Sequence, residues 1–126
     1  MKEIWSVMEL AGPAWHSSLT VKQTAEIERV QRVAIQIIIS GVPGAGDFCY
    51  DQSLVLLDLE PLSSRREKLC LNFGKKTLKS RHRSMFSTNS HHPNTRNRPM
   101  FYESLSNTKR FYNSPLYYLT RLLNQN

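Results

Sequence analysis

The sequence predicts an all-α fold: a small unit of three to four helices, a basic loop of poor order, and a short C-terminal helix. Three observations carry this reading. Thr20-x-x-Gln23 is a capping box, in which the threonine hydroxyl takes a free amide of the first helical turn and the glutamine reaches back. Ile27, Val30, Ala34, Ile37 and Ile38 follow it at spacings that place them on one helical face. Ser64-x-x-Glu67 repeats the capping pattern, and Leu62, Leu69, Cys70, Phe73 and Thr77 share a second face.

Taken in order, Ile4 to Leu10 is a short amphipathic stretch that ends at the breaker pair Gly12-Pro13. The first capping box opens a helix over about 21–39. Its end, Ile35-x-Ile37-Ile38-Ile39, has strand propensity, but the helical register set upstream prevails, and Gly41 stops it. Residues 41–47 form a connector. Its three glycines lack the Lys-Ser/Thr of a phosphate-binding loop, and Asp47 suits a helix cap. Tyr50 to Leu57 is a short helix with Leu54 and Leu57 inward, broken at Glu60-Pro61. Ser63 or Ser64 caps the next helix, which runs to about Lys79 despite Gly74, a residue that costs about 1 kcal/mol against alanine in a helix interior. Ser80 to Ser106 is polar and aperiodic, and reads as loop. Ser114-Pro115 then supplies an N-cap and a first helical residue, followed by Leu116, Leu119, Leu122 and Leu123. That helix is too short to stand alone in water, so it must dock, with the Leu59–Leu69 region as the expected surface. The organisation is therefore a helical region over 1–79, a basic polar loop over 80–110, and a docking helix over 111–126.

Charge divides the chain more sharply than structure does. Residues 1–64 hold four basic and eight acidic side chains, net −4, and residues 65–126 hold thirteen basic and two acidic, net +11. Arg65, Arg66, Lys68, Lys75, Lys76, Lys79, Arg81 and Arg83 form a run of eight cations relieved by Glu67 alone, with Arg96, Arg98, Lys109 and Arg110 beyond. Phe86, Phe101, Tyr102, Phe111 and Tyr112 are interleaved with the later cations. Such a pattern suits sequence-independent attraction to phosphates with stacking on unpaired bases. The plainer reading is a solvated helix surface with aromatics in the core. Cations in a first helical turn oppose the helix dipole, so Arg65, Arg66 and Lys68 need either an acidic neighbour, such as Asp58 or Glu60, or an external phosphate.

Several classes find no support. The N-terminus lacks the apolar core of a signal peptide, and the run near Ile35 to Ile39 is too short to span a bilayer. Cys49 and Cys70 have neither disulfide-framework nor zinc-site spacing, so an intracellular protein, nuclear or cytoplasmic and not membrane-bound, is expected. His91-His92 has no cysteine near it for a zinc knuckle. No Asp-Asp pair exists for two-metal phosphoryl chemistry, and Asp47 and Asp51 lack a third carboxylate. No catalytic residue, metal site or cofactor is expected.

Three stretches, in order, resemble one family. They are Gly12-Pro13-Ala14-Trp15-His16-Ser17-Ser18-Leu19-Thr20 with Ile27-Glu28-Arg29-Val30-Gln31-Arg32, then Leu57-Asp58-Leu59-Glu60-Pro61-Leu62-Ser63-Ser64-Arg65-Arg66-Glu67-Lys68-Leu69-Cys70-Leu71, and Tyr112-Asn113-Ser114-Pro115-Leu116-Tyr117-Tyr118-Leu119-Thr120-Arg121-Leu122-Leu123-Asn124. Over about Ile4 to Asn124 the chain is similar to the C-terminal, post-thumb region of non-LTR, jockey-like retrotransposon reverse transcriptases. The resemblance implies an RNA-directed DNA polymerase whose magnesium-binding aspartates lie upstream, so a fragment like this would be non-catalytic. Its expected role is helical packing on the rest of the polymerase and non-specific contact with RNA or DNA. The resemblance also implies that Met1 cuts into a longer helix and that Gly74 weakens a helix other members form better. The alternatives are a freestanding helical adaptor that binds protein through its Leu116–Leu123 and Ile27–Ile38 faces, or a translated relic without activity.

Overall fold

The computed structural model describes residues 9, 11–41, 49–89 and 99–125. Within them lie six α-helices: α1 (Gly12–Trp15), α2 (Val21–Ser40), α3 (Tyr50–Leu56), α4 (Leu62–Lys79), α5 (Lys109–Tyr112) and α6 (Pro115–Gln125). Two 3-10 turns, His16–Ser18 and Arg81–Met85, follow α1 and α4. No strand is present among the described residues beyond one isolated antiparallel bridge between Thr88 and Phe101. The fold is a small all-α one, and α4 is its spine, since α1, α2 and α6 all pack on it.

α2 begins as its capping box dictates. The Gln23 amide donates to Thr20 Oγ1 at 3.2 Å, and Gln23 Oε1 accepts from the Thr20 amide at 3.0 Å. Gly41 follows with φ −84°, a right-handed conformation that any residue could take. The inward face differs from the expected one. Gln31, Ile35 and Ile39 are buried, whereas Val30 and Ile37 are 53% and 69% exposed. The cause is a pair of polar side chains with inward duties. Glu28 Oε1 accepts from Tyr50 Oη at 2.8 Å and from the Leu62 amide at 3.2 Å. Gln31 Nε2 donates to the Glu60 carbonyl at 3.1 Å. These bonds turn the Glu28–Gln31–Ile35–Ile39 line toward α3 and α4. Ile35, Ile39 and Leu54 then form one core cluster with Tyr50, Leu57 and Leu59 around it. Val30, Val33 and Ile37 are left as an exposed apolar stripe.

Glu28 also corrects the start of α4. The helix opens at Leu62 after Pro61, with no side-chain cap from Ser63 or Ser64. A carboxylate borrowed from α2 takes the Leu62 amide instead, and a negative charge there suits the positive end of the helix dipole. Likewise Gly12-Pro13 opens the turn α1, with Pro13 in its first turn. Any element upstream over Ile4 to Leu10 lies outside the described residues but for Glu9.

α6 docks as expected, but further along α4 than Leu59–Leu69. The second core cluster is Cys70, Phe86, Phe101, Leu119 and Leu122, with Leu71, Leu78, Tyr118 and Leu123 packed against it. Full burial of each large apolar side chain contributes about 1.5–3 kcal/mol, so this cluster holds the C-terminal half together. The stretch expected as unordered loop supplies two of its members, Phe86 and Phe101, whose rings lie 5.7 Å apart. Asn124 anchors the second of them: Oδ1 accepts from the Phe101 amide at 2.9 Å, and Nδ2 donates to the Phe101 carbonyl at 3.1 Å. Gly74 has a packing reason too. A β-carbon there would stand 3.3 Å from the Leu123 methyls, so the absent side chain lets α6 approach α4 closely.

Candidate nucleic-acid interface

The eight cations singled out in the sequence separate into two groups. Arg65, Arg66 and Lys68, on the first two turns of α4, are engaged within the protein. Arg65 Nε donates to Glu9 Oε1 at 2.6 Å and Nη2 to Oε2 at 3.2 Å, a fork-to-carboxylate pair that raises the Arg65 pKa above its ordinary value. Lys68 Nζ donates to Glu60 Oε1. The acidic neighbour anticipated for this turn is therefore present for Lys68, while Glu9 serves Arg65.

Arg66 is fully buried, at 0% exposure, and stands out of reach of any external phosphate. This corrects its assignment to the contact surface. Its guanidinium lies 5.7 Å from the Trp15 ring centroid. Its three nitrogens have no hydrogen-bond partner among the described residues, and neither have the buried Glu28 Oε2 and Gln31 Oε1. Burial lowers the Arg66 pKa, and the Glu28 carboxylate opposes that shift. Burial, and after it the same guanidinium, lowers the His16 pKa. Arg66, Glu28, Gln31 and His16 thus form an interior polar cluster between α2, α4 and the turn after α1.

Lys75, Lys76 and Lys79 on the last turns of α4, and Arg81 and Arg83 on the following 3-10 turn, are exposed. No ion pair joins them to an acid among the described residues. Lys75 and Lys79 are one turn apart, and Lys76 and Lys79 are three residues apart, so the lysines lie side by side. Lys76 and Lys79 also sit favourably at the negative end of the α4 dipole. Ser80 Oγ accepts from the His82 amide at 3.1 Å and fixes the start of the 3-10 turn, which carries the two arginines on from the helix end. Of the remaining cations, Lys109 and Arg110 are exposed on α5, and Arg96 and Arg98 lie outside the described residues. Arg121 is turned inward over the Tyr112 ring at 3.7 Å, with Nη2 donating to the Tyr112 carbonyl at 3.3 Å.

The aromatics expected among the cations divide similarly. Phe86 and Phe101 belong to the core, whereas Tyr102, Phe111 and Tyr112 are exposed, the last two each paired with Tyr117 at a 5.6 Å ring separation. Sequence reasoning missed a further exposed aromatic, which lies on the same helix as the free lysines. Phe73, assigned there to the buried face, is 49% exposed. It lies one turn before Lys76 and Thr77, and the spacing Phe73-x-x-Lys76 was the available signal. Phe73, Lys76, His82, Met85 and Leu116 line an open groove of about 960 Å³ that α1 and α6 close from the other side.

Among the described residues, no group of three His, Cys, Asp or Glu side chains could hold a metal ion. His91-His92 and Asp47 lie outside those residues. No described helix is long and apolar enough to cross a membrane. Comparison with family models, with curated proteins and with solved structures returns no match to this chain.

Proposed function

We propose that this chain is a non-catalytic helical element that contacts nucleic acid non-specifically, in the manner expected of the C-terminal region of a non-LTR retrotransposon reverse transcriptase. The observation that carries the reading is the group Lys75, Lys76, Lys79, Arg81 and Arg83: five exposed cations in nine residues, without an acidic partner among the described residues. Phosphate attraction needs charges that are not already neutralised, and these meet that condition while Arg65, Arg66 and Lys68 do not. The resemblance along the chain supports the polymerase assignment, and a nuclear or cytoplasmic location is part of the same proposal. Primer extension by the pure chain is expected to be nil.

Titration with labelled single-stranded RNA between about 50 and 200 mM salt tests the contact. Binding weakens as salt rises, with a log–log slope of up to about −3.5 if all five cations engage, at about −0.7 per phosphate on a single strand. Absence of binding at low salt, or binding indifferent to salt, overturns the reading. The exposed stripe Val30, Val33 and Ile37 favours a second reading, a helical adaptor that docks on protein. Under it, Val33→Asp abolishes capture of a partner and leaves RNA affinity unchanged.

A further inference from the structure

We infer that the groove between α1, α4 and α6 receives unpaired bases, which makes single-stranded nucleic acid the preferred partner of the cationic surface. The inference rests on the nucleic-acid reading above and adds to it a strand preference and a base-binding site.

The groove has two kinds of wall. Ala11, Pro13, Ala14, Phe86, Leu116 and Leu119 make an apolar floor and far side. On the near side Phe73 and Met85 present their faces, 49% and 54% exposed. A half-exposed phenyl ring beside a thioether is an apolar, polarisable surface that stacks on any base. The lining also includes Lys76 and His82 but, among the described residues, no carboxylate. Phe73 and Lys76, three residues apart on α4, project from the same side of the helix. Lys79 and Arg81 continue from there along the chain. A strand with a phosphate on Lys76 can therefore turn a base inward over Phe73, while Lys75, Lys79, Arg81 and Arg83, which lie outside the lining, attract the phosphates beyond it.

Charge selects the occupant. Lys76 is the lysine in the lining and no carboxylate joins it among the described residues, so the occupant is an anion with flat apolar parts. A duplex hides its bases in the stack and offers only its phosphates, so it uses the lysines and arginines but leaves the groove empty. A single strand uses both.

The test compares three fluorescein-labelled probes of equal length: oligouridylate, an abasic strand with the same phosphate spacing, and an RNA duplex. The base-bearing strand is expected to bind about tenfold more tightly than the abasic one, the size of a single good stacking contact. Phe73→Ala removes that advantage and leaves the abasic affinity unchanged. Lys75→Gln with Lys79→Gln weakens both strands equally. Since Phe73 is half exposed, the variant should keep its helix content. Met85→Ala offers an independent check, with a smaller loss of the same kind. Equal binding of the base-bearing and abasic strands, or tighter binding of the duplex, overturns the inference and leaves the polyanion reading standing. Failure of all three probes at low salt overturns both. An acidic amphipathic peptide that competes with RNA at the groove, when bases make no difference, would assign the groove to a protein partner instead.

Discussion

Six cations stand along α4, and its two halves use them in opposite ways. At the start, Arg65 and Lys68 meet Glu9 and Glu60, and Arg66 is sealed beneath Trp15. At the end, Lys75, Lys76 and Lys79 face solvent with no acid beside them among the described residues. The helix itself favours the second arrangement and opposes the first, because its dipole attracts cations only at its C-terminal end. The first group persists because other elements supply negative charge: Glu28 from α2 takes the Leu62 amide and lies within electrostatic reach of Arg66. Identical residue types thus serve the interior in one half of the helix and are left for a partner in the other. Partner geometry, not composition, decides which.

Removing Glu28 breaks the interior half most severely. Glu28→Ala deletes the acceptor for Tyr50 and Leu62 and leaves Arg66 buried without the carboxylate that acts on it most strongly. A loss of about 3–5 kcal/mol in urea unfolding is expected, the usual effect of orphaning a buried charge. Tyr50→Phe removes only the hydroxyl bond, and about 1.5–3 kcal/mol is expected. Gly74 marks the join between the halves. Gly74→Leu drives a side chain into Leu123 and should cost about 1–3 kcal/mol by overpacking. Gly74→Ala should stay near wild type, since the helix-propensity gain of about 1 kcal/mol offsets a contact that Leu123 can relieve by shifting. A large loss for the alanine variant would mean that α4 and α6 cannot separate even slightly.

What was legible in the sequence follows from how locally each signal acts. The Thr20–Gln23 box and the extents of α2, α3, α4 and α6 rest on residues a few positions apart, and the fold class followed from them. The inward role of Glu28 and Gln31 was not legible, because their partners Tyr50, Leu62 and Glu60 are 22 to 34 residues away. A periodicity argument assigns polar side chains outward and so turned α2 the wrong way. The core role of Phe86 and Phe101 was left open for a related reason: each sits in a short apolar patch, Met85-Phe86 and Met100-Phe101-Tyr102, inside a polar stretch with no period to say which residue turns inward. At the candidate site, the cation run was visible as composition. Its division was not, since it depends on where Glu9 and Glu60 fold back and on what covers Arg66.

The interior cluster also has a pH signature. His16 titrates below its ordinary 6.5, through burial and the positive Arg66, with Glu67 acting the other way. The unfolded chain therefore binds a proton that the folded chain refuses. Stability is unaffected above 6.5, falls as pH drops through that value, and stops falling from this source below the folded pKa. His16→Gln should flatten the slope of unfolding free energy between about pH 7 and 5.5 relative to wild type. An unchanged slope would show that the fold does not hold His16 below its ordinary range.

The smallest stability effects test the comparison most directly. Lys75→Gln and Lys79→Gln touch no carboxylate among the described residues, and each should change stability by less than about 0.5 kcal/mol. Arg65→Gln should cost about 1 kcal/mol, because its forked pair with Glu9 is half-buried and well aligned. RNA affinity should rank the same variants in reverse. The lysine variants weaken binding and each reduces the salt slope by about 0.7, whereas Arg65→Gln leaves both unchanged. This crossing of the two rankings is the discriminating result. If Arg65→Gln weakened binding as much as Lys79→Gln, the ion pair with Glu9 would have to open on contact, and the division of α4 into an interior half and a surface half would fail.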